Sequence, residues 1–168
     1  MMRDVLWSPW RMEYLAREKR PTDTCVFCEA SQDTDDRANL VLHRNEACFI
    51  ICNRYPYNNG HLLVVPYRHV GDLDDLTADE STNVMHVVRY GVRLLRRTFQ
   101  PDAVNIGVNL GAAAGAGILD HVHVHIVPRW DGDTNYMTVF SGIRVISEEL
   151  ERTFDRLKRT MVEVPFEP

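Results

Sequence analysis

The chain has 168 residues, 45% hydrophobic and 26% charged, the size and composition of one folded domain with a sizeable core. Its formal net charge of −5 argues against a general nucleic-acid or membrane-surface binder, which needs a basic face, so an anionic ligand would have to be held by a local site. The N-terminal MMRDVLWSPWRMEYL has no apolar run suited to a signal peptide, and no stretch approaches transmembrane length, so a cytoplasmic location is the expectation.

Ser8 followed by Pro9 is a helix start, since a hydroxyl can cap and proline suits the first helical position; a short helix is predicted over residues 10–17. After Cys25-Val-Phe-Cys28 the run QDTDDR reads as a solvated acidic loop. Strands are predicted over 40–43, 47–52, 61–66 and 103–110, the second and third joined by NRYPYNNG, rich in Asn, Pro and Gly. Cys48 and Cys52 share a face of the second strand and read as small apolar core groups. Between the third and fourth strands lies a helix. Thr77 and Glu80 form a capping-box pattern, Val84, Val87, Val88, Gly91, Leu94 and Leu95 make its apolar stripe, and Pro101 stops it. Arg93, Arg96 and Arg97 complement the negative end of its dipole and read as a solvated helix end. A last helix is expected over 147–161, with Leu150, Phe154, Leu157 and Met161 on one face. This order predicts an α+β fold with a mostly antiparallel sheet and flanking helices.

The segment DHVHVHIVPRW places His121, His123 and His125 at a spacing of two. On a strand they share one face, leaving Val122, Val124 and Ile126 for the core side. A solvent-facing strand draws on Thr, Lys, Glu and Arg, so three imidazoles there ask for chemistry: metal ligation, or nucleophilic and acid–base work. A dinuclear hydrolase site wants an Asp-His pair just after the first two histidines, and Ile126–Val127 stands further on instead; a cupin wants a glutamate on the next strand. The spacing favours a histidine nucleophile flanked by helpers.

Cys25 and Cys28 are spaced as a two-thiolate zinc knuckle, which needs two further ligands for a closed tetrahedral site. No second CxxC exists, so histidines must supply them, from His43, His61, His69 and one of the three clustered histidines. Upstream, NLGAAAGAGILD is neither a P-loop nor a dinucleotide fingerprint, because it lacks GK[ST] and the next element is a strand. Its small side chains would let backbone N–H groups approach an oxyanion, and a flexible linker is the competing reading.

The combination of CVFC, NRYPYNNGHLLVVPYRH, NLGAAAGAG and HVHVHIVPRW resembles the histidine triad (HIT) superfamily of nucleotide hydrolases and transferases, over roughly residues 25–130. The flanks LWSPWRMEYL and PRWDGDTNYM are similar to the bacterial branch of diadenosine tetraphosphate phosphorylases. The resemblance implies one HIT domain over 1–168: an α+β core with a five-stranded, mostly antiparallel sheet, an N-terminal helical arm and a C-terminal helix. It also implies a homodimer whose sheets join across a two-fold axis, with a tetramer left open; the aromatic ends Trp7, Trp10 and Trp130 suit such interfaces.

By the same resemblance, His123 attacks the α-phosphorus of a nucleotide or dinucleoside polyphosphate. The nucleotidyl-histidine is then resolved by water or inorganic phosphate. His125 contacts phosphate oxygens, and His61 stands behind the triad as an orienter. A structural zinc ion is held by Cys25, Cys28, His69 and His121. Asn53 meets ribose hydroxyls and Asn109 the phosphate; Gly115, Ala116, Gly117 and Trp130 complete the substrate-binding set. Many members carry a glutamine four residues before the first histidine of the triad, where this chain has Gly117. That gap fits the phosphorylase-like branch, since the vacated space could admit a phosphate ion. The rival readings are a slow-turnover nucleotide-binding regulatory module and a nucleoside phosphoramidate hydrolase.

Overall fold

The computed structural model describes residues 24–133, 146 and 148–167. The helix predicted over 10–17, together with Trp7 and Trp10, lies outside the described residues. Helices α1 (Val26–Gln32) and α2 (Asp36–Asn39) lead into strands β1 (Val41–Arg44), β2 (Cys48–Cys52) and β3 (Leu62–Pro66). Then come helix α3 (Ala78–Phe99), strand β4 (Ala103–Val108), a 3-10 turn (Ala112–Ala114), strand β5 (Val124–Arg129) and helix α4 (Leu150–Glu163). The five strands form one antiparallel sheet in the order β1-β2-β3-β5-β4, which agrees with the expected fold class.

Two expectations need correction. The acidic run is not all loop: Asp35 caps α2 by accepting the Ala38 N–H at 3.0 Å, so Asp36 and Arg37 are helical. The C-terminal helix starts at Leu150 rather than 147 and runs on to Glu163.

The α3 helix covers one face of the sheet, and its start is the reciprocal capping box that Thr77 and Glu80 predict. Its contact with the sheet is close because Gly91 has no side chain: a Cβ there would lie 2.6 Å from Ile126 Cδ1. Ile126 is fully buried on this side, so its strand neighbour His125 is directed to the opposite face. The α4 helix packs on α3 and β1. The arginines ending α3 form the expected solvated end: Arg96 and Arg97 are exposed, Arg97 pairs with the equally exposed Glu163 at 2.9 Å, and Arg93 lies over Tyr90. Cys48 and Cys52 are buried, and burial pushes both thiols up to about 12, which keeps them protonated core groups.

Candidate active site and metal centre

The three clustered histidines are not one strand face. Strand pairing begins at Val124, so only His125 is a β5 residue, and His121 and His123 precede it. The preceding segment is docked elsewhere: the Val122 N–H donates to the Val70 carbonyl at 2.7 Å, beside the end of β3. All three rings are buried, and each meets a different environment.

His121 lies 2.8 Å through Nε2 from the Pro66 carbonyl. A carbonyl only accepts, so Nε2 carries the proton and Nδ1 keeps its lone pair. That lone pair faces Cys25 Sγ at 3.4 Å and Cys28 Sγ at 3.7 Å, and Cys28 Sγ is 3.3 Å from His69 Nδ1. The four ligand atoms all lie within 4.8 Å of one another and could hold a metal ion. Bonds of about 2.3 Å to sulfur and about 2.0 Å to nitrogen put tetrahedral zinc ligands about 3.3–3.8 Å apart, which the three sulfur–nitrogen distances given above match. Burial, and then the neighbouring Cys25 thiol, pushes the Cys28 thiol above its ordinary value, so a thiolate pair at this place needs a cation. Two other candidate ligands sit elsewhere. His43 packs between Tyr90 and Phe166, ring centroids 5.2 and 4.8 Å away, and His61 packs against His125.

His123 points Nδ1 at the His121 carbonyl, 2.9 Å away, so Nδ1 carries the proton and Nε2 the lone pair. Desolvation, only partly opposed by that carbonyl, lowers the pKa of His123 and keeps the ring neutral. Phe27, on α1 between the two cysteines, packs against both rings, with centroids 5.5 Å from His121 and 5.0 Å from His123.

His125 receives its orientation from a chain of hydrogen bonds. The Tyr57 N–H donates to His61 Nδ1 at 3.0 Å, and the Asn53 amide nitrogen lies 3.2 Å from the same atom. His61 therefore carries its proton on Nε2, which donates to His125 Nδ1 at 3.0 Å. That leaves His125 with its proton on Nε2, 3.4 Å from the Asn109 amide nitrogen; both are donors, so they do not bond each other and can share one acceptor oxygen. Tyr57 also stacks on His125 (5.6 Å, 14°) and leans on His61. Burial, then His123, lowers the pKa of His125 to about 4, so it is neutral at physiological pH.

The remaining candidates are more dispersed. Asn53 accepts the Tyr55 N–H at 2.9 Å with Oδ1, which leaves a second lone pair on that oxygen. The Gly–Ala segment corrects the expected oxyanion cradle: the N–H groups of Ala114 and Ala116 donate to the Gly111 carbonyl and that of Gly115 to Ala112, closing the turn on itself. Gly111 and Gly115 adopt positive φ (79° and 88°), and a Cβ on either would meet open space. Gly117 is exposed nearby, and Trp130 is half-buried beyond β5. Sequence reasoning missed Phe27, Tyr57 and the Pro66 carbonyl. Phe27 at least had a signal, the aromatic side chain inside the cysteine pair.

Residues 35–132 match the HIT domain family model. The chain belongs to the HIT family. Among its HIT relatives, the AP-4-A phosphorylase of Mycobacterium tuberculosis is 41% identical over 155 residues, covering 88% of this chain and 79% of that protein. The asymmetrical bis(5'-nucleosyl)-tetraphosphatase of Schizosaccharomyces pombe is 37% identical over 112 residues, covering 67% of this chain and 58% of that protein. Among solved structures, a zinc-bound histidine triad family protein from Mycobacterium smegmatis superposes with a TM-score of 0.67 at 27% identity, covering 84% of this chain and 95% of that one.

Proposed function

We propose that this HIT protein is an enzyme that cleaves dinucleoside polyphosphates, diadenosine tetraphosphate being the favoured substrate, by transferring a nucleotidyl group through His123. The observation that carries the reading is the bond from His123 Nδ1 to the His121 carbonyl, which directs the ring's lone pair to Nε2 in a neutral, buried imidazole. Relatives named for the same substrate class support it.

In the first step Nε2 attacks the α-phosphorus, a P–N bond forms, and the bond from phosphorus to the bridging oxygen breaks with its electron pair leaving on ATP. The ring becomes an imidazolium whose Nδ1–H is already held by a carbonyl oxygen, which stabilises the charge as it develops. His125 offers Nε2–H to a phosphate oxygen, and Asn109 beside it is in reach of the same group. Asn53 uses its second Oδ1 lone pair for a ribose hydroxyl. Gly115, Ala116 and Gly117 leave room for the acceptor, and Trp130 closes the substrate side. In the second step phosphate or water attacks phosphorus, and the P–N bond breaks, returning its electron pair to His123 and releasing ADP or AMP.

Zinc is the metal proposed for Cys25, Cys28, His69 and His121, and its role is structural because four protein ligands leave no open position. The chain is proposed to pair with a second copy through the β4 edge, where Ala103, Asn105, Ile106 and Gly107 are exposed and Ile106 is 52% accessible. The deciding experiment incubates the protein with diadenosine tetraphosphate, with and without phosphate, and resolves the products. ADP plus ATP supports phosphorolysis and AMP plus ATP hydrolysis. No turnover, and no trapped nucleotidyl-protein, would favour a binding module.

A further inference from the structure

We propose that Asn58 is a positioning residue for this transfer: by tying the loop between β2 and β3 to the end of β5, it keeps the Tyr57 N–H on His61 and so decides which nitrogen of His125 carries the proton. The inference rests on the enzymatic reading above.

The Asn58 amide nitrogen donates to Asp133 Oδ2 at 2.9 Å and to the Pro128 carbonyl at 3.2 Å. Its amide oxygen accepts the Asn59 N–H, and its carbonyl accepts the His61 N–H at 3.2 Å. The anchor it reaches is rigid. Asp133 has a side chain only 9% accessible and is held by Arg129 at 2.6 and 2.7 Å and by the Trp130 N–H at 3.1 Å. Asn58 thus joins the loop to a carboxylate that Arg129 ties to the end of β5, the strand that also carries His125. The neighbouring residue in the loop is Tyr57, whose N–H and ring touch His61 and His125.

An imidazole has two tautomers of similar energy, so a single well-placed donor selects between them. With Tyr57 N–H on Nδ1, His61 must donate from Nε2, and His125 must keep its own proton on the nitrogen that faces a phosphate oxygen. When the loop is released, His61 can protonate Nδ1 and accept through Nε2. His125 then donates back from Nδ1 and presents a bare Nε2, which repels a phosphate oxygen. Among the described residues, the groups facing His61 include His125 at Nε2, and Tyr57 and Asn53 at Nδ1; Arg54 and Glu148 line the cavity of about 470 Å³ that His61 also borders. His125 is faced by His61, His123, Tyr57 and Asn109.

The test compares wild type with Asn58→Ala and Asn58→Asp. The second keeps the side chain's size but sets a carboxylate against Asp133. Histidine ring nitrogens are observed by NMR on ¹⁵N-labelled protein, alongside kcat, KM, the acid limb of kcat and the melting temperature. In wild type both His61 and His125 read as the Nε2–H tautomer. In both variants the His61 nitrogens should average between tautomers. The value of kcat should fall about tenfold with KM changed less than about twofold, as misplacement of a reacting group predicts. The acid limb should move to higher pH, because Nδ1 of His61 loses the Tyr57 donor that opposes its protonation. Unchanged tautomers in both variants would overturn the proposal, as would a loss of kcat with the tautomers and the acid limb both in place. The NMR arm needs no turnover, so failure of the enzymatic reading is seen separately, as a wild type that does not cleave diadenosine tetraphosphate.

Discussion

Gly91→Ala adds one methyl group where α3 crosses the sheet. The new Cβ would sit 2.6 Å from Ile126 Cδ1, against 3.8 and 3.9 Å for Leu62 Cδ1 and Ile50 Cδ1, so the strain falls on one atom. Carbon atoms pack at about 3.5–4.0 Å, so about 1 Å of separation must come from the Ile126 rotamer or from β5 moving away. Overpacking of this kind costs about 1–3 kcal/mol, and the better helix propensity of alanine returns about 1 kcal/mol. The expected net loss is about 1 kcal/mol, a fall in melting temperature of about 2–4 °C for a chain of this size. Ile126→Val removes the clashing methyl; alone it should cost about 0.5–1.5 kcal/mol. Combined with Gly91→Ala it should relieve the contact, so the double variant should be about 1–2 kcal/mol more stable than the sum of the single changes. Urea unfolding of the four proteins, read at constant m, measures this cycle. Because β5 carries His125, activity should fall in Gly91→Ala and recover in the double variant. Additivity within about 0.5 kcal/mol would refute the reasoning, since it would mean that the Cδ1 contact is not what limits the approach of α3 to the sheet.

Three neighbouring substitutions should give three signatures. His123→Ala should abolish the covalent intermediate and remove several orders of magnitude of rate with fold and metal retained, and retention of more than about a tenth of turnover would rule it out as nucleophile. His125→Ala should cost about 10²–10³-fold in kcat, the value of one lost donor, while His121→Ala should lower metal content and melting temperature together. Removing the metal with a chelator should lower the melting temperature before it lowers the rate of the protein still folded, and elemental analysis of fresh protein should find one zinc per chain. The pKa of His125 is lowered to about 4 against about 6.5 unfolded, so the unfolded state binds more protons between those values and stability is lost as the pH falls from about 6.5 to about 4. His125 accounts for about 3 kcal/mol of that loss, and His125→Asn should flatten the slope measured by denaturant unfolding from pH 7 to pH 4.

Much of the fold was legible because local signals coincide with burial. The capping box at Thr77 and Glu80, the apolar stripe of α3 and the run LLVVP of β3 each predict the element that forms. The acidic run was less legible, since Asp35 caps a turn whose helix is only four residues long and carries no apolar period. The Gly–Ala segment misled for a physical reason: small residues that let backbone approach an anion equally let a chain fold on its own carbonyls, as Gly111 and Ala112 show. The knuckle's spacing pointed to two thiolates, but the choice of His69 over His43 depended on where β1 and β3 end, which no local pattern encodes.

The triad makes the same point at the level of single atoms. A repeat of three histidines separated by valines suggests three equivalent rings, yet the fold makes them chemically distinct with three different hydrogen bonds. The Pro66 carbonyl takes Nε2–H of His121 and frees Nδ1 for the cysteines; the His121 carbonyl takes Nδ1–H of His123 and frees Nε2. His61 donates to Nδ1 of His125 and leaves a donor at Nε2. The ligand, nucleophile and donor roles proposed for them therefore differ only in which side of the ring the fold occupies. The carbonyl of one triad member also fixes the next, so the metal ligation proposed for His121 and the orientation of His123 share a backbone unit. A disturbance of the knuckle should thus reach His123 through two routes, that carbonyl and the Phe27 ring packed on both histidines.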